Sequence, residues 1–324
     1  MDEFALIADL LAPLSRGAPG AYCLSDDAAL LSVPEGYNLV ITKDMLVAGV
    51  HFMADDEPGL IARKLLRVNL SDLAAMGATP RAYLLALALP KSTDKSWLSG
   101  FVDGLALDQA AFGVDLIGGD TVSADGPFTA SLTALGEVRN GEEIRRSGAV
   151  AGDLVFVSGS LGDGALGLAV LTGALKGLNE AAQAMLCDRY HLPRPRIELG
   201  SRLSGLAHGL IDISDGLIAD LGHICAASKV AAEIDAPRIP LSPAARAALA
   251  LDPGLLVKVL GGGDDYELLF TADQAATAAL DAIAKDLDLP ITAIGRIKEG
   301  RGVMALDEKG DEIDLPTPGW RHYF

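Results

Sequence analysis

Leu154–Gly167, LVFVSGSLGDGALG, is the stretch whose reading decides between two α/β folds. A β-branched run ends in a glycine-rich turn and passes into an apolar helical segment. Within it, Gly162-Asp163-Gly164-Ala165-Leu166-Gly167 is a literal GxGxxG in the strand–turn–helix context of a dinucleotide fingerprint. That fingerprint also needs an acid at the end of the following strand, about 20 residues on. The acid near that distance, Asp188, lies in an alanine-rich helical stretch instead, and Asp163 inside the loop would repel a pyrophosphate. An NAD-dependent oxidoreductase using Gly162–Gly167 stays an alternative against which both features count. No GxxxxGK[ST] occurs, which excludes a P-loop kinase on motif grounds.

The chain around this stretch has 324 residues, half of them hydrophobic, enough for one large or two medium domains. Helix-like and strand-like patches alternate throughout, so the fold class is α/β, of the α+β type. A net charge of −18 disfavours unaided binding to nucleic acid or an anionic membrane, because a polyanion would be repelled. The start, MDEFALIADLLAPL, has three acids and no base, the wrong charge for a signal or transit peptide. The longest weakly charged apolar stretch, Gly164 to Leu175, is too short to span a bilayer. Three scattered cysteines outside any CxxC fit a reduced, cytoplasmic protein. Five histidines with no HExxH argue against zinc.

Strands are predicted at Leu39–Lys43, Leu84–Leu89, Val114–Asp120, Thr129–Val138, Leu154–Gly159, Leu210–Ser214, Tyr266–Thr271 and Ile291–Arg296. Helices are predicted at Pro58–Met76, Ser96–Ala111, Ala181–Tyr190, from PRPRIELG (Pro193–Gly200) to about Gly205, at Asp273–Leu287 and from SDGLIADLGHICAAS, with Ser214 or Asp215 near its N-cap. Glycine and charge replace the apolar pattern over Glu142–Asp153, so domains of 1–148 and 149–324 are expected. Pro316, Pro318 and GWRHYF form a tail.

Aspartates stand where apolar segments end: Asp27 in SDDAA, Asp44 in VITKD, Asp120 in LIGGD and Asp212 in LIDIS. Asp72 lies inside the helical stretch VNLSDLAAMGA. Any one of them, taken alone, reads first as a turn or cap residue. Acids at strand ends tend, however, to converge on one rim of a sheet, and converging carboxylates need a cation to stay ionised. Oxygen ligands without histidine or cysteine suit Mg²⁺, which usually arrives with phosphate. Gly118 and Gly119 before Asp120 either let the backbone approach a bulky group or form a plain β-turn. His51 in GVHF reads as a satisfied rim histidine, Trp320 as a residue closing the fold, and Arg146 as a solvent-exposed side chain or a phosphate contact.

Ten segments in order, SDDAAL, TKDMLVAGVHF, VNLSDLAAMGATP, LIGGDT, RSGAVAGD, VSGSLGDGALGL, HLPRPRIELG, IDISDGLIADLGHI, GGGDDYELLF and GWRHYF, together resemble the thiamine-monophosphate kinase family of the aminoimidazole-ribonucleotide-synthetase-like superfamily. The resemblance implies a two-domain fold, with an N-terminal mixed sheet with helices, a C-terminal α/β domain, an active site in a cleft between them, and a homodimer formed through the N-terminal domains. It implies ATP-dependent phosphorylation of thiamine monophosphate with several Mg²⁺ ions. Family metal positions map onto Asp27, Thr42, Asp44, Asp72, Asp120, Asp212 and Asp215. Nucleotide contacts map onto Gly119, Asp120, Arg146 and Ser214, and substrate contacts onto His51, Asp264 and Trp320. Asp120, Arg146 and Asp215 are the expected catalytic groups, and Asp27 is expected to share Mg²⁺ with Asp72. Another superfamily activity, such as that of aminoimidazole ribonucleotide synthetase, is the alternative. The chain departs from the family at three places. Lys43 stands for a hydroxyl ligand and would replace part of a metal's charge; Asp264 stands for Glu, and Ser25 for Gly.

Overall fold

The computed structural model describes residues 3–315 and 319–320. Pro316, Pro318 and residues 321–324 of the expected tail lie outside the described residues. The chain divides into two compact units, Met1–Leu73 with Ala78–Gly141, and Ala74–Gly77 with Glu142–Phe324.

Unit 1 opens with α1 (Glu3–Leu6) and further helical turns that end at Leu24. Then follow β1 (Tyr37–Val47), α2 (Pro58–Ala75), β2 (Thr79–Pro90), α3 (Lys95–Phe112), β3 (Asp115–Ala124) and β4 (Thr129–Arg139). The strands form one mixed sheet in the order β1-β4-β2-β3; β2 and β3 are parallel and the other pairs antiparallel. A parallel pair needs a crossover, and α3 supplies it. The Asp94 side chain caps α3 at the Trp97 N–H, and Gly113 ends it in the left-handed region at φ 66°. α2 lies against β4, where a Cβ on Gly136 would come within 3.2 Å of Leu73. α2 meets α3 through Gly59 and Gly104, and a Cβ on Gly104 would come 2.4 Å from the Gly59 carbonyl oxygen. Gly118–Asp120 is not a turn: the strand runs straight through it to Ala124.

Unit 2 contains β5 (Leu154–Ser158), α4 (Asp163–Leu171), α5 (Glu180–His191), α6 (Ile197–Arg202), β6 (Ala207–Asp212), α7 (Leu217–Ser228), β7 (Ala231–Asp235), α8 (Pro243–Leu251), α9 (Leu256–Gly261), β8 (Leu268–Ala272), α10 (Thr277–Asp286), β9 (Ile291–Lys298) and β10 (Gly302–Leu306). Its six strands run β10-β7-β9-β5-β8-β6, antiparallel except for the β10–β7 pair. Both faces are covered. Val155, Val157 and Leu269 enter one apolar cluster, while Phe156, Leu268 and Phe270 enter the other. That is why LVFVS reads as a continuous apolar run without alternation. β7, β10, α8 and α9 are not among the predicted elements; β7, AAEID, lacks the continuous β-branched and aromatic run that marks β5, LVFVS.

Candidate functional site

In unit 1 the strand β1 presents Thr42 and Lys43 to opposite faces, as alternation demands. Thr42 Oγ1 donates to Asp72 Oδ2 at 2.5 Å, joining β1 to the side of the sheet where α2 lies. The Asp44 N–H, on this edge strand, donates to Asn69 of α2 at 3.0 Å. Thr42, Asp44 and Asp72 are thus gathered at the β1 edge, each partly buried. Lys43 points the other way, and its ammonium donates to Ser131 Oγ at 2.6 Å. It therefore does not replace a cation among Thr42, Asp44 and Asp72, contrary to the expectation from the sequence.

Asp120 is on β3, the opposite edge of the sheet, about 14 Å away at ~4.8 Å per strand spacing. Ala86 pairs with both Ser131 and Asp120, so Asp120 shares the face of Lys43 and not that of Thr42. Gly119 must be glycine, since a Cβ would lie 1.8 Å from the Leu85 carbonyl oxygen. Asp27 is exposed in a loop closed by the Leu30 N–H bonding Gly20 O at 2.8 Å. A Cβ on Gly20 would clash with that Leu30 carbonyl. Leu24 and Ala29, flanking Asp27, pack on Ala82, Ile117 and Leu135. Leu135 pairs with Ile41, so these flanking residues lie on the face of Asp120, opposite Asp72. His51 accepts the Val47 N–H on Nδ1 at 3.1 Å, the satisfied rim arrangement.

In unit 2 the loop after β6 carries Ser214 and Asp215, and Asp212 is buried at the strand's end. The cap of α7 is Gly216, at φ 126°, and not Ser214 or Asp215. The side chain that satisfies this helix start is Asp220, from one turn inside it. Its Oδ2 accepts the N–H groups of Ser214, Asp215 and Gly216 at 3.1, 3.0 and 3.0 Å. Ser214 and Asp215 are thus held at this helix start by their backbone N–H groups. The loop Gly262–Tyr266 runs beside them: the Asp264 N–H bonds Ser214 O, and the Tyr266 N–H bonds Ile213 O. Trp320 is 57% exposed, and its N–H bonds Asp215 O at 3.0 Å, which brings the C-terminal tryptophan to the same loop. Arg146 is exposed, and the segment after it is tied down by Ser228 at the end of α7, whose Oγ accepts from Gly148 and Ala149. Asp212, Ser214, Asp215, Asp264 and Trp320 thus share one backbone neighbourhood.

Burial, and next the carboxylate of Asp215, push Asp220 up to about 7 despite three N–H donors that pull it down. An acid raised in the fold holds a proton that the unfolded chain releases from about pH 4 upward. The stability tied to that proton is whole near pH 4 and is lost as pH rises through about 7. Asp220→Asn keeps an oxygen for the three N–H groups and cannot ionise. In chelator, its stability relative to the parent is therefore expected to improve between pH 5 and 8, read by urea unfolding. A constant difference across that range would contradict the shift. The sequence did not single out Asp220, although its signal, an acid within an apolar helical run, is the one that marked Asp72. His223, three residues further along α7, offers a nitrogen within 4.8 Å of oxygens of Asp215 and Asp220.

The glycine-rich turn binds a carboxylate of its own chain. Asp265 Oδ2 accepts the Gly162 N–H at 2.7 Å and Oδ1 the Gly164 N–H at 3.1 Å. Asp163, fully buried, accepts the Ser160 and Ser242 hydroxyls at 2.6 Å each. Glu267, fully buried, takes the Ser158 hydroxyl and the guanidinium groups of Arg189 and Arg196. The donors that a pyrophosphate would need at this turn are thus already in use, which removes the physical basis for the dinucleotide alternative.

The oxygen donors gathered at the β1 edge, Thr42, Asp44 and Asp72, are of the kind that suits a hard divalent cation such as Mg²⁺, as are Asp212 and Asp215 in unit 2. The chain matches the model of the AIR synthase related protein family over its N-terminal domain at residues 25–138 and its C-terminal domain at residues 150–307. It is 44% identical over 323 residues to the thiamine-monophosphate kinase of Caulobacter vibrioides, covering 99% of this chain and 90% of that protein. A crystal structure of thiamine-monophosphate kinase from Stenotrophomonas maltophilia superimposes with a TM-score of 0.82 at 44% identity, covering 90% and 91% of the two chains. A structure of AaThiL complexed with AMPPCP and TMP superimposes with a TM-score of 0.79 at 32% identity, covering 92% and 91%.

Proposed function

The chain belongs to the AIR synthase related family and, within it, to the thiamine-monophosphate kinases, and from that membership we propose that it transfers the γ-phosphoryl group of ATP to thiamine monophosphate, giving thiamine diphosphate and ADP. The observation that carries this reading is full-length similarity together with a set of carboxylates that has no nucleophile–base dyad in it. The nucleophile is a phosphate oxygen of the substrate, ionised near neutral pH, so no general base is needed. The barrier is the meeting of two polyanions and the charge on the transferring group.

Thr42, Asp44 and Asp72 would hold Mg²⁺ on the α2 side of the unit 1 sheet, and Asp212 and Asp215 would do so in unit 2. Asp120 and the residues flanking Asp27 lie on the other face of the sheet, so within one copy Asp27 does not join Asp72, contrary to the expectation from the sequence. Bound Mg²⁺ supplies neutralising charge for the phosphate oxygens. The protein's own groups do the rest. Gly119 lets the backbone approach the nucleotide, and Ser214 and Arg146 contact its phosphates, Arg146 as a planar fork of donors. His51, Asp264 and Trp320 orient thiamine monophosphate. The thiazolium is cationic, so the exposed Trp320 ring attracts it by stacking and cation–π interaction. Trp320→Ala is expected to raise KM for thiamine monophosphate about tenfold and leave KM for ATP within about twofold, a loss of ~1.4 kcal/mol. Equal changes in both would make Trp320 structural only.

Unit 1 is also the dimerising half in this reading. The sheet face that carries Lys43 exposes Leu39, Ile41, Met45, Leu84 and Val122, with Ile41 at 60%, the kind of apolar patch a second copy covers. Three free cysteines fit a reducing compartment, the cytoplasm, and no described helix is long and apolar enough to cross a membrane. The test of the function is ADP release from ATP and Mg²⁺ with thiamine monophosphate, thiamine or an aminoimidazole precursor as acceptor. Turnover that requires thiamine monophosphate is expected; equal turnover on the aminoimidazole precursor would point to the other superfamily activity.

A further inference from the structure

The GDG turn that imitates a dinucleotide fingerprint has a function in this site that its motif does not announce. Asp264 and Tyr266 both lie in the left-handed region, at φ 69° and 50°, where side chains other than glycine are strained. Asp265 sits between them, 2% exposed, and its carboxyl oxygens each accept one N–H from the GDG turn. On the other side, the N–H groups of Asp264 and Tyr266 bond the carbonyls of Ser214 and Ile213. The contact with the turn is close: a Cβ on Gly164 would come 2.3 Å from the Asp264 carbonyl oxygen. The strained tripeptide is therefore gripped between the segment bearing Ser214 and Asp215 and the turn bearing Gly162 and Gly164.

We propose that Asp265 is a positioning residue, whose carboxyl ties the GDG turn to the strained loop and so fixes where Asp264 meets thiamine monophosphate. This rests on the reading of Asp264 as a substrate contact. Three observations join in it. The strain at Asp264 and Tyr266 persists only if surrounding bonds over-determine the loop. The GDG amides face inward onto Asp265. Asp264 is one methylene shorter than the family's Glu, so its reach tolerates little displacement of its backbone. Misplacement of a contact by about an ångström costs up to ~100-fold in rate.

The test uses the full-length enzyme and three variants. Asp265→Asn is isosteric, but its amide nitrogen has no lone pair for one of the two turn N–H groups. Gly164→Ala pushes the Asp264 carbonyl from the turn side and stands in for it if Asp265→Asn does not fold. Asp264→Asn reads the substrate contact itself. All three are expected to raise KM for thiamine monophosphate at least tenfold, with KM for ATP within twofold. Amide hydrogen exchange in Asp265→Asn is expected to quicken at Gly162–Gly164 and at Asp264–Tyr266 together. The proposal is overturned if Asp264→Asn raises that KM while Asp265→Asn and Gly164→Ala leave it within twofold. Equal rises in both KM values would overturn it too, by making Asp265 merely structural. If Asp264→Asn itself leaves KM unmoved, the substrate contact falls and the positioning role with it; faster exchange at both segments would still mark Asp265 as their tie.

Discussion

Asp72→Asn is expected to reduce kcat for thiamine diphosphate formation at least ~100-fold, with its unfolding temperature within a few degrees of the parent's. The two halves of that expectation have separate causes. Asp72 lies on α2, where Thr42 Oγ1 donates to it at 2.5 Å, and Asn retains an oxygen to accept that bond. The tie between β1 and α2 therefore survives. The negative charge does not, and a neutral amide is a poor ligand for a hard divalent ion. Steady-state kinetics with thermal unfolding checks both halves. Retention of more than a tenth of the parent's kcat would remove Asp72 from the metal set.

Glu267→Ala is the change with the largest expected effect on stability. The side chain is fully buried and takes Arg189 Nη2 at 2.8 Å, Arg196 Nε at 2.6 Å and Ser158 Oγ at 2.6 Å. Removing it takes the hydrogen-bonded counter-charge from the mostly buried Arg196 and leaves the buried Arg189 only the longer ion pair to Asp163 at 3.8 Å. Breaking a buried pair in that way costs about 3–5 kcal/mol, because an unpaired charge stays in a poorly solvated place. For a domain of this size the melting point should drop by roughly 10 °C. Glu267→Gln keeps acceptors for one guanidinium and for Ser158, so its loss should be smaller. Thermal unfolding of both variants decides; equal losses would mean that the pairing charge contributes little and the packing dominates.

What the sequence disclosed depended on whether a signal was local. α2, α3 and β4 were legible because their apolar residues recur over ten or more positions, and α5 because it is built from good helix formers. β1 is longer than predicted at both ends because Asn38 and Asp44 are poor strand formers by type; pairing with β4 carries them. Ser214 and Asp215 fall near the start of α7 as expected, but the cap itself is Gly216 and the oxygen comes from Asp220, which reaches back. Sheet faces were the least legible part of the site. Lys43 and Thr42 are neighbours in sequence, so a substitution at one looked like a substitution in the metal set. Strand alternation sends them to opposite faces. The role of GDGALG was hidden for a different reason. Its partner, Asp265, lies a hundred residues away, and no local pattern records which acceptor a turn's amides find.

The central claim is phosphoryl transfer from ATP to the phosphate of thiamine monophosphate. It is tested most directly by following ³²P from γ-labelled ATP into products. The label should appear in the terminal phosphate of thiamine diphosphate, one for each ADP formed, and only when thiamine monophosphate is present. ADP formed with the label released as orthophosphate, and none in thiamine diphosphate, would contradict it.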